Sequence, residues 1–153
     1  MHPNAQLIKQ FYSSLSKLDG AAMAACYAPD VVFSDPVFHD LRGEAAGKMW
    51  RMLCARGKDM TLVVDGIEAT DSTGKAHWVA TYTFSATGNK VVNDIQANFT
   101  FENGKIKTHR DDFDLYKWMR QALGLKGALL GWLPPVQAKL RQTARAGLDA
   151  FKA

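Results

Sequence analysis

The sequence predicts one α+β domain in which helices cover one face of an antiparallel sheet. Apolar side chains recur at helical spacing over residues 1–55, and apolar and polar side chains alternate with the period of a strand over 60–114. The chain has 153 residues, of which 47% are hydrophobic and 22% charged. This length and composition are typical of one globular domain with a full core.

The N-terminal part is predicted to form three helices and one short strand. The apolar stripe of the first helix is Leu7, Ile8, Phe11, Leu15 and Leu18. Asp19 is a suitable N-cap for a second helix over 21–27, which Pro29 ends before a strand over 31–33. A third helix is predicted over 44–55, with Gly57 as its C-terminal cap.

Four strands are predicted to follow, over 60–69, 76–86, 90–102 and 105–114. Their connections are short and rich in turn residues, such as Gly88-Asn89 and Asn103-Gly104, so we expect an antiparallel meander. A single alternation along the last strand cannot bury both Ile106 and Phe113. We therefore expect a bulge between them, a feature that often lies beside active sites.

The C-terminal part is apolar and basic. A helix is predicted from Leu115 to a cap at Gly124, followed by an apolar, glycine-rich segment over 125–135 and a last amphipathic helix. From Leu115 onward there are seven basic residues and one acid, Asp149. We divide the chain into a domain over 1–124 and an extension over 125–153 packed on it, as a lid or a dimer contact in preference to a membrane contact.

Several functional classes are disfavoured by the sequence. The N-terminus lacks the basic and apolar regions of a secretory signal, and no stretch has the roughly 20 apolar residues of a membrane span, so we expect a cytoplasmic protein. Cys26 and Cys54 are predicted to be free buried thiols. The spaced basic residues lack RNA-binding motifs, so no nucleic-acid partner is expected. His109, Asp111 and Asp112 lack metal-site spacing, and we expect no metal.

Asp35 is the strongest candidate for chemistry. The ring of Pro36 holds the preceding residue extended, so the Asp35 carboxylate at the end of an apolar run points in a defined direction. The alternative is that Asp35 accepts backbone hydrogen bonds in a turn. Asp111 is the second candidate, with the alternative that it only pairs with His109 or Arg110.

The order of these elements and motifs resembles the nuclear transport factor 2-like superfamily, and most closely its SnoaL-like proteins. The residues that carry the resemblance are Asp35-Pro36-Val37, Arg42-Gly43, Asn103-Gly104-Lys105-Ile106 and His109-Arg110-Asp111-Asp112-Phe113-Asp114. The resemblance covers about the first 120 positions. It implies a cone-shaped, curved antiparallel sheet wrapped around the N-terminal helices (a cystatin-like roll), an apolar pocket inside it, and a homodimer.

The resemblance also implies roles for the two acids. Asp35 matches the proton-abstracting aspartate of the related ketosteroid isomerases, but the positions of their two oxyanion donors fall on Phe11 and near Ala97. Asp111 matches an aspartate of the related epoxide hydrolases and resembles the acid/base position of the SnoaL cyclases. Because the isomerase donors and the hydrolase partners are missing, a SnoaL-type carboxylate with a pKa raised by desolvation is the simplest expectation.

The candidate site residues follow from these matches and from the apolar faces. Asp35, Asp111 and His109 are the catalytic candidates, with His109 orienting Asp111 or shuttling a proton. The candidates for the pocket lining are Tyr12, Phe11, His39, Trp50, Trp78, Tyr82, Phe99, Phe113 and Trp118.

We expect the protein to bind a small apolar, carbonyl-bearing molecule. Asp35 and Asp111 would catalyse cofactor-free isomerisation, cyclisation or dehydration. Two alternatives are a carrier or sensor that keeps the pocket without catalysis, and a basic adaptor that acts through residues 125–153.

Overall fold

The computed structural model of the chain describes residues 1–152 and confirms the α+β fold class. The elements in order are α1 (Pro3–Ser16), α2 (Gly20–Ala25), β1 (Tyr27–Ser34), β2 (Leu41–Arg42), α3 (Glu44–Arg56), β3 (Thr61–Ala69), β4 (Thr73–Phe84), β5 (Asn89–Glu102), β6 (Lys105–Asp112), α4 (Leu115–Leu123), α5 (Leu125–Leu130) and α6 (Pro134–Ala150). The predicted caps Asp19, Gly57 and Gly124 are confirmed; the Asp19 carboxylate accepts a hydrogen bond from the Ala22 amide at 3.0 Å.

The six strands form one curved sheet in the order β2-β1-β6-β5-β4-β3. The meander β3 to β6 is antiparallel throughout, as the turn sequences predict. β1 joins it by pairing parallel with β6, so the sheet is mixed. The hairpin signals of the sequence cannot reveal this pairing, because β1 and β6 lie at opposite ends of the domain sequence.

The concave face of the sheet carries the predicted alternation. The buried residues of β4 and β5 are Ala76, Trp78, Ala80, Val91, Asn93, Ile95, Ala97 and Phe99. Most of them pack against buried side chains of α1 and α3, among them Ile8, Phe11, Met49 and Trp50. The core therefore lies between the helices and the concave face of the sheet.

The predicted irregularity in the last strand is a bulge at Lys107. Thr108 lies opposite Thr100 of β5, but Ile106 lies opposite the next residue, Phe101, so Lys107 is an extra residue in β6. The extra residue shifts the alternation by one position. As a result Ile106, His109 and Asp111 are all buried.

The start of β1 differs from the expectation. α2 ends at Ala25, and Tyr27 opens the strand instead of closing the helix, because the Cys26 carbonyl accepts a hydrogen bond from the Ile106 amide of β6 at 2.9 Å. The register between β1 and β6 then shifts between Tyr27 and Val32, a stretch that contains Pro29. Cys26 and Cys54 are free and buried, which confirms that prediction.

The last helix, α6, lies along both apolar clusters of the domain. Val136 and Leu140 pack against the smaller cluster, which contains Val91, Leu115, Trp118, Met119 and Ala122. Ala144, Leu148 and Phe151 pack against the main core. Between them, the Arg141 side chain donates a hydrogen bond from Nε to the Pro36 carbonyl at 2.9 Å. This contact places α6 beside the turn that contains Asp35.

No helix within residues 1–152 has the length and apolar character that crossing a bilayer requires.

On the convex face of the sheet, His77 links three strands, because its two ring nitrogens lie 2.9 Å from Asp65 and 2.8 Å from Asp94. These hydrogen bonds raise the pKa of His77, since both carboxylates favour its charged form.

Close packing of α2 on α3 requires glycine at position 20. A Cβ at Gly20 would lie 2.7 Å from the Cα of Arg51, whereas a Cβ at Gly147 in α6 would meet nothing nearer than 3.9 Å. Gly20→Ala should lower the free energy of unfolding by about 1–3 kcal/mol, because the backbone must move. Gly147→Ala, the matched control, should raise it by about 0.5–1 kcal/mol. Urea unfolding of both variants measures this, and a Gly20→Ala protein as stable as the parent would contradict it.

Candidate functional site

Four buried polar side chains form a continuous hydrogen-bonded chain through the core. The Trp50 indole donates from Nε1 to the Tyr27 hydroxyl at 2.7 Å. The same hydroxyl lies 2.8 Å from Nδ1 of His109, and Nε2 of His109 lies 2.9 Å from Oδ1 of Asp111. The chain connects α3, β1 and β6, and it ends at a carboxylate.

With a neutral imidazole at His109, one order of donors uses every group of this chain. Trp50 can only donate, so the Tyr27 oxygen accepts from it and the Tyr27 hydroxyl proton is free for Nδ1 of His109. His109 then carries its proton on Nε2 and donates it to the Asp111 carboxylate. In this arrangement every polar hydrogen of the chain has an acceptor, which stabilises a single orientation of Asp111.

Aromatic rings enclose His109. Phe99 stacks on the imidazole with ring centroids 4.4 Å apart, and Phe33 and Phe11 meet it edge-on at 5.0 and 5.4 Å. Both His109 and Asp111 are buried. Because water is excluded from this cage, hydrogen bonds to the Asp111 carboxylate are stronger than they would be at the surface.

Two donors in the same region have no acceptor. The Tyr12 hydroxyl and Nε1 of Trp78 are buried and form no hydrogen bond within residues 1–152. Their rings are neighbours, with centroids 5.4 Å apart. Burial, and then the negative charge of Asp111, raise the pKa of Tyr12 well above its usual range, so the hydroxyl keeps its proton.

Asp35 closes the turn between β1 and β2. Its Oδ1 accepts from the amides of Val37 at 2.7 Å and Phe38 at 2.6 Å, and its own amide donates to the Phe38 carbonyl at 2.8 Å. Oδ1 therefore accepts backbone hydrogen bonds in a turn, which was the alternative to a chemical role for Asp35. The second carboxylate oxygen, Oδ2, is not used in the turn.

The Asp35 carboxyl has an unusual acidity. Burial raises its pKa to about 7, the two amides oppose the rise, and the charge of Asp111 adds to it. Burial raises the pKa of Tyr82, the hydrogen bond that its hydroxyl accepts from Nε1 of Trp118 at 2.6 Å opposes the rise, and the charge of Asp35 adds to it. The two aspartates and the aromatic residues near them thus form one electrostatically coupled region.

Two clefts flank α6. One, of about 650 Å³, lies between α6, β1 and α3 and is lined by Tyr27, Lys48, Arg51 and Leu148, among others. The other, of about 450 Å³, lies between α6 and the loop after Asp35 and includes the exposed His39. Asp35, His109 and Asp111 line neither of these clefts.

Most of the candidate residues meet in two neighbouring groups. The main core holds Phe11, Tyr12, Trp50, Trp78 and Phe99, together with His109 and Asp111. Tyr82, Phe113 and Trp118 lie around the smaller cluster, which Val37 joins to the main core. His39 lies on the surface. Within residues 1–152, no three histidine, cysteine or acidic side chains are arranged to hold a metal ion.

Sequence reasoning missed Tyr27, the residue at the centre of the buried chain. The sequence predicts that Tyr27 ends the second helix, because Pro29 follows two positions later, whereas Tyr27 begins β1. The available signal is its even spacing from Val31 and Phe33, which are buried on the same strand.

The Tyr27 hydroxyl should be important for stability, because Tyr27→Phe removes the acceptor of Trp50 and the partner of His109 in a dry core. We expect a loss of about 1–3 kcal/mol in the free energy of unfolding. Tyr82→Phe is the matched control; it removes one hydrogen bond in a half-buried place and should have a smaller effect. Equal losses in the two variants would argue against a stabilising role for the chain.

The raised pKa of Asp35 should make stability depend on pH. The folded state binds a proton at Asp35 that the unfolded state has released between about pH 4 and pH 7, so the free energy of unfolding falls as pH rises through this range. Relative to the parent, Asp35→Asn should be unchanged near pH 3 and more stable, by up to about 4 kcal/mol, above pH 7. Urea unfolding across this range measures the difference.

Asp40→Asn removes an exposed carboxylate in the same loop and serves as the control for charge alone. It should not reproduce the gain in stability above pH 7 that is expected for Asp35→Asn. The same pH profile for Asp35→Asn and Asp40→Asn would show that Asp35 has an ordinary acidity.

The comparisons with known proteins support the family and the fold. The family model of the SnoaL-like domain matches residues 8–109. None of the curated proteins compared with the chain matches it. A nuclear transport factor 2-like protein of unknown function from Burkholderia pseudomallei superposes with a TM-score of 0.70 at 20% identity, covering 80% of this chain and 98% of that one.

Two further solved structures have names that refer to chemistry. A putative polyketide cyclase from Xanthomonas campestris is 21% identical, with a TM-score of 0.66 over 78% of this chain and 96% of that one. An epoxide hydrolase from M. tuberculosis, of the limonene epoxide hydrolase-like type, is 19% identical, with a TM-score of 0.64 over 86% and 96%. These likenesses show the shared fold, and the family match, which spans well over half of the sequence, shows that the chain belongs to the SnoaL-like domain family.

Proposed function

We propose that the cone binds a small apolar, carbonyl-bearing molecule and moves protons on it without a cofactor, in an isomerisation, cyclisation or dehydration. The observation that carries the proposal is a pair of neighbouring buried donors, Tyr12 and Trp78, that have no acceptor within residues 1–152. The buried carboxylate of Asp111 is near enough for its charge, after burial, to raise the pKa of Tyr12.

The two donors fit a carbonyl oxygen. A buried hydroxyl or indole N–H without a partner destabilises the fold by about 1–3 kcal/mol, so a ligand that supplies an acceptor gains this energy on binding. A carbonyl oxygen has two lone pairs and can accept from Tyr12 and Trp78 together. When a proton leaves the neighbouring carbon, negative charge develops on that oxygen, and both hydrogen bonds become stronger.

The two aspartates suit the proton transfers. His109 fixes one oxygen of Asp111, which leaves the other oxygen free to accept a proton from the carbon beside the carbonyl. Asp35, with a pKa of about 7, exists in both protonation states at neutral pH and can return a proton at a second position.

Access to the core requires movement of α6. The side chains of Val136, Leu140 and Leu148 cover the two clusters, and the hydrogen bond from Arg141 to Pro36 fastens the helix beside Asp35. A ligand would enter when these contacts open and would be shielded from water when they close.

A second candidate function is a carrier that binds the same class of molecule without catalysis. It is supported by the resemblance to the isomerases, which puts their two oxyanion donors at Phe11 and near Ala97, where neither side chain can donate. The two candidates differ in whether bound ligand exchanges its acidic proton.

Proton exchange in heavy water separates the two candidates. Ligands retained from a metabolite extract would be identified by native mass spectrometry, and aromatic ketones such as β-tetralone would be added as probes. Proton NMR should show protein-dependent loss of the hydrogen beside the carbonyl. Asp111→Asn should slow the exchange of this hydrogen by about 10²-fold or more, and Asp35→Asn should slow deuterium incorporation at the second position by a similar factor, whereas Asp40→Asn should leave both unchanged.

Binding without exchange for every ligand would establish the carrier. Exchange that survives in Asp35→Asn and Asp111→Asn alike would refute the assigned roles of the two carboxylates. Tyr12→Phe should slow exchange and weaken binding of the ketones, because it removes one donor to the carbonyl oxygen.

A further inference from the structure

Exposed apolar side chains are concentrated on α5 and the turn that follows it. Leu125 is 76% exposed, Leu129 63% and Trp132 63%, and Leu130 is also exposed. We call these four residues the α5 patch. Leu125, Leu129 and Trp132 are four and three positions apart, so they lie on one side of the helical turn.

The small residues of the same segment face inward. A Cβ at Gly127 would lie 2.0 Å from the Met119 carbonyl oxygen, and a Cβ at Gly131 would lie 3.1 Å from the Met119 side chain. Both glycines are buried. α5 therefore packs on α4 through glycine and presents leucine and tryptophan to the solvent, the reverse of an ordinary surface helix.

The α5 patch is held in place by specific contacts. The Tyr116 hydroxyl of α4 donates to the Ala128 carbonyl at 2.7 Å, and Nε1 of Trp132 donates to the Leu129 carbonyl at 3.1 Å. The large apolar side chains are thus displayed by a fixed backbone.

The charged residues of the segment that contains the α5 patch are all basic. From Leu115 to Leu148 the sequence has six basic residues and no acidic one. Lys126 is exposed within α5. The Arg120 guanidinium lies 5.8 Å from the ring centre of Tyr116, whose hydroxyl forms the hydrogen bond to α5. An apolar surface with basic flanks is complementary to an anionic bilayer, where leucine and tryptophan enter the interface and lysine and arginine meet the headgroups.

A second copy of the chain fits this surface less well. A symmetric contact through the α5 patch would place Lys126 and Arg120 of each copy close to the same residues of the other, with no acidic residue in 115–148 to compensate. Four side chains are also few beside the roughly 20–30 residues a side of a stable interface.

We propose that the α5 patch docks the protein onto the surface of an anionic lipid bilayer. Leu125, Leu129 and Trp132 would enter the headgroup region, and Lys126 and Arg120 would contact anionic lipid.

The test uses the full chain with vesicles of pure phosphatidylcholine and vesicles of equal parts phosphatidylcholine and phosphatidylglycerol. Co-sedimentation measures binding, and tryptophan emission reports the site, because Trp50, Trp78 and Trp118 are buried and only Trp132 is exposed within residues 1–152. We expect binding to the anionic vesicles at least about tenfold tighter than to the neutral ones, a blue shift in emission, and weakening by salt.

The variants separate insertion from charge. Leu125→Ser with Leu129→Ser should reduce vesicle binding at least about tenfold, and Lys126→Glu should reduce binding to anionic vesicles alone. Val63→Ser is the matched control, because Val63 is 70% exposed on β3, away from α5, and should leave binding unchanged. Circular dichroism and thermal unfolding check that all three proteins are folded.

Three results would overturn the proposal. These are the absence of binding to anionic vesicles, equal binding to both kinds of vesicle, and equal effects of the Val63→Ser and the double leucine variant. Sedimentation velocity without lipid identifies the competing occupant. Self-association that the double leucine variant abolishes, in a protein that does not bind vesicles, would assign the α5 patch to a second copy.

Discussion

The arrangement of the core depends on one extra residue in β6. If Lys107 took a regular place in the alternation instead of forming the bulge, burying Ile106 would turn His109 and Asp111 toward solvent. The bulge places all three side chains on the concave face. The buried chain from Trp50 to Asp111, the aromatic cage around His109 and the negative charge that acts on Tyr12 and Asp35 all follow from that change of face.

The two aspartates show how one fold gives the same functional group two environments. Asp111 lies at the end of a hydrogen-bonded chain within an aromatic cage, so its orientation is fixed by side chains. Asp35 lies in a turn, where backbone amides fix its orientation and burial raises its pKa. Such a difference between neighbouring carboxyl groups is a common basis for acid–base chemistry. α6 lies beside Asp35, where the Arg141 side chain donates to the carbonyl of the next residue, Pro36.

The features that the sequence predicted correctly are those that depend on residues close together in the chain. The alternation of β4 and β5, the caps at Asp19 and Gly124, and the bulge before His109 could all be read from neighbouring residues. The parallel pairing of β1 with β6 could not, because it joins segments with no sequence signal for each other.

The same limit applies to the candidate site. His109 and Asp111 were found from the strand and from the resemblance, whereas their partner Tyr27 was assigned to a helix because Pro29 follows it. The outward direction of Leu125 and Leu129 was also hidden, because it depends on how closely Gly127 approaches α4. Distant pairing and close backbone contact are properties of the assembled molecule, which no single stretch of sequence contains.

The parallel pairing of β1 with β6 also has a consequence for folding kinetics. Tyr27 and His109 are separated by 82 positions, so their contact closes a loop that contains most of the meander. Closing a long loop is slow relative to forming hairpins, and the meander can form first from contacts between neighbours. During synthesis β1 emerges before β6, so the edge of β1 that pairs with β6 is unpaired at first and can associate with other chains. The two halves of the buried hydrogen-bonded chain therefore meet in one of the last steps of folding.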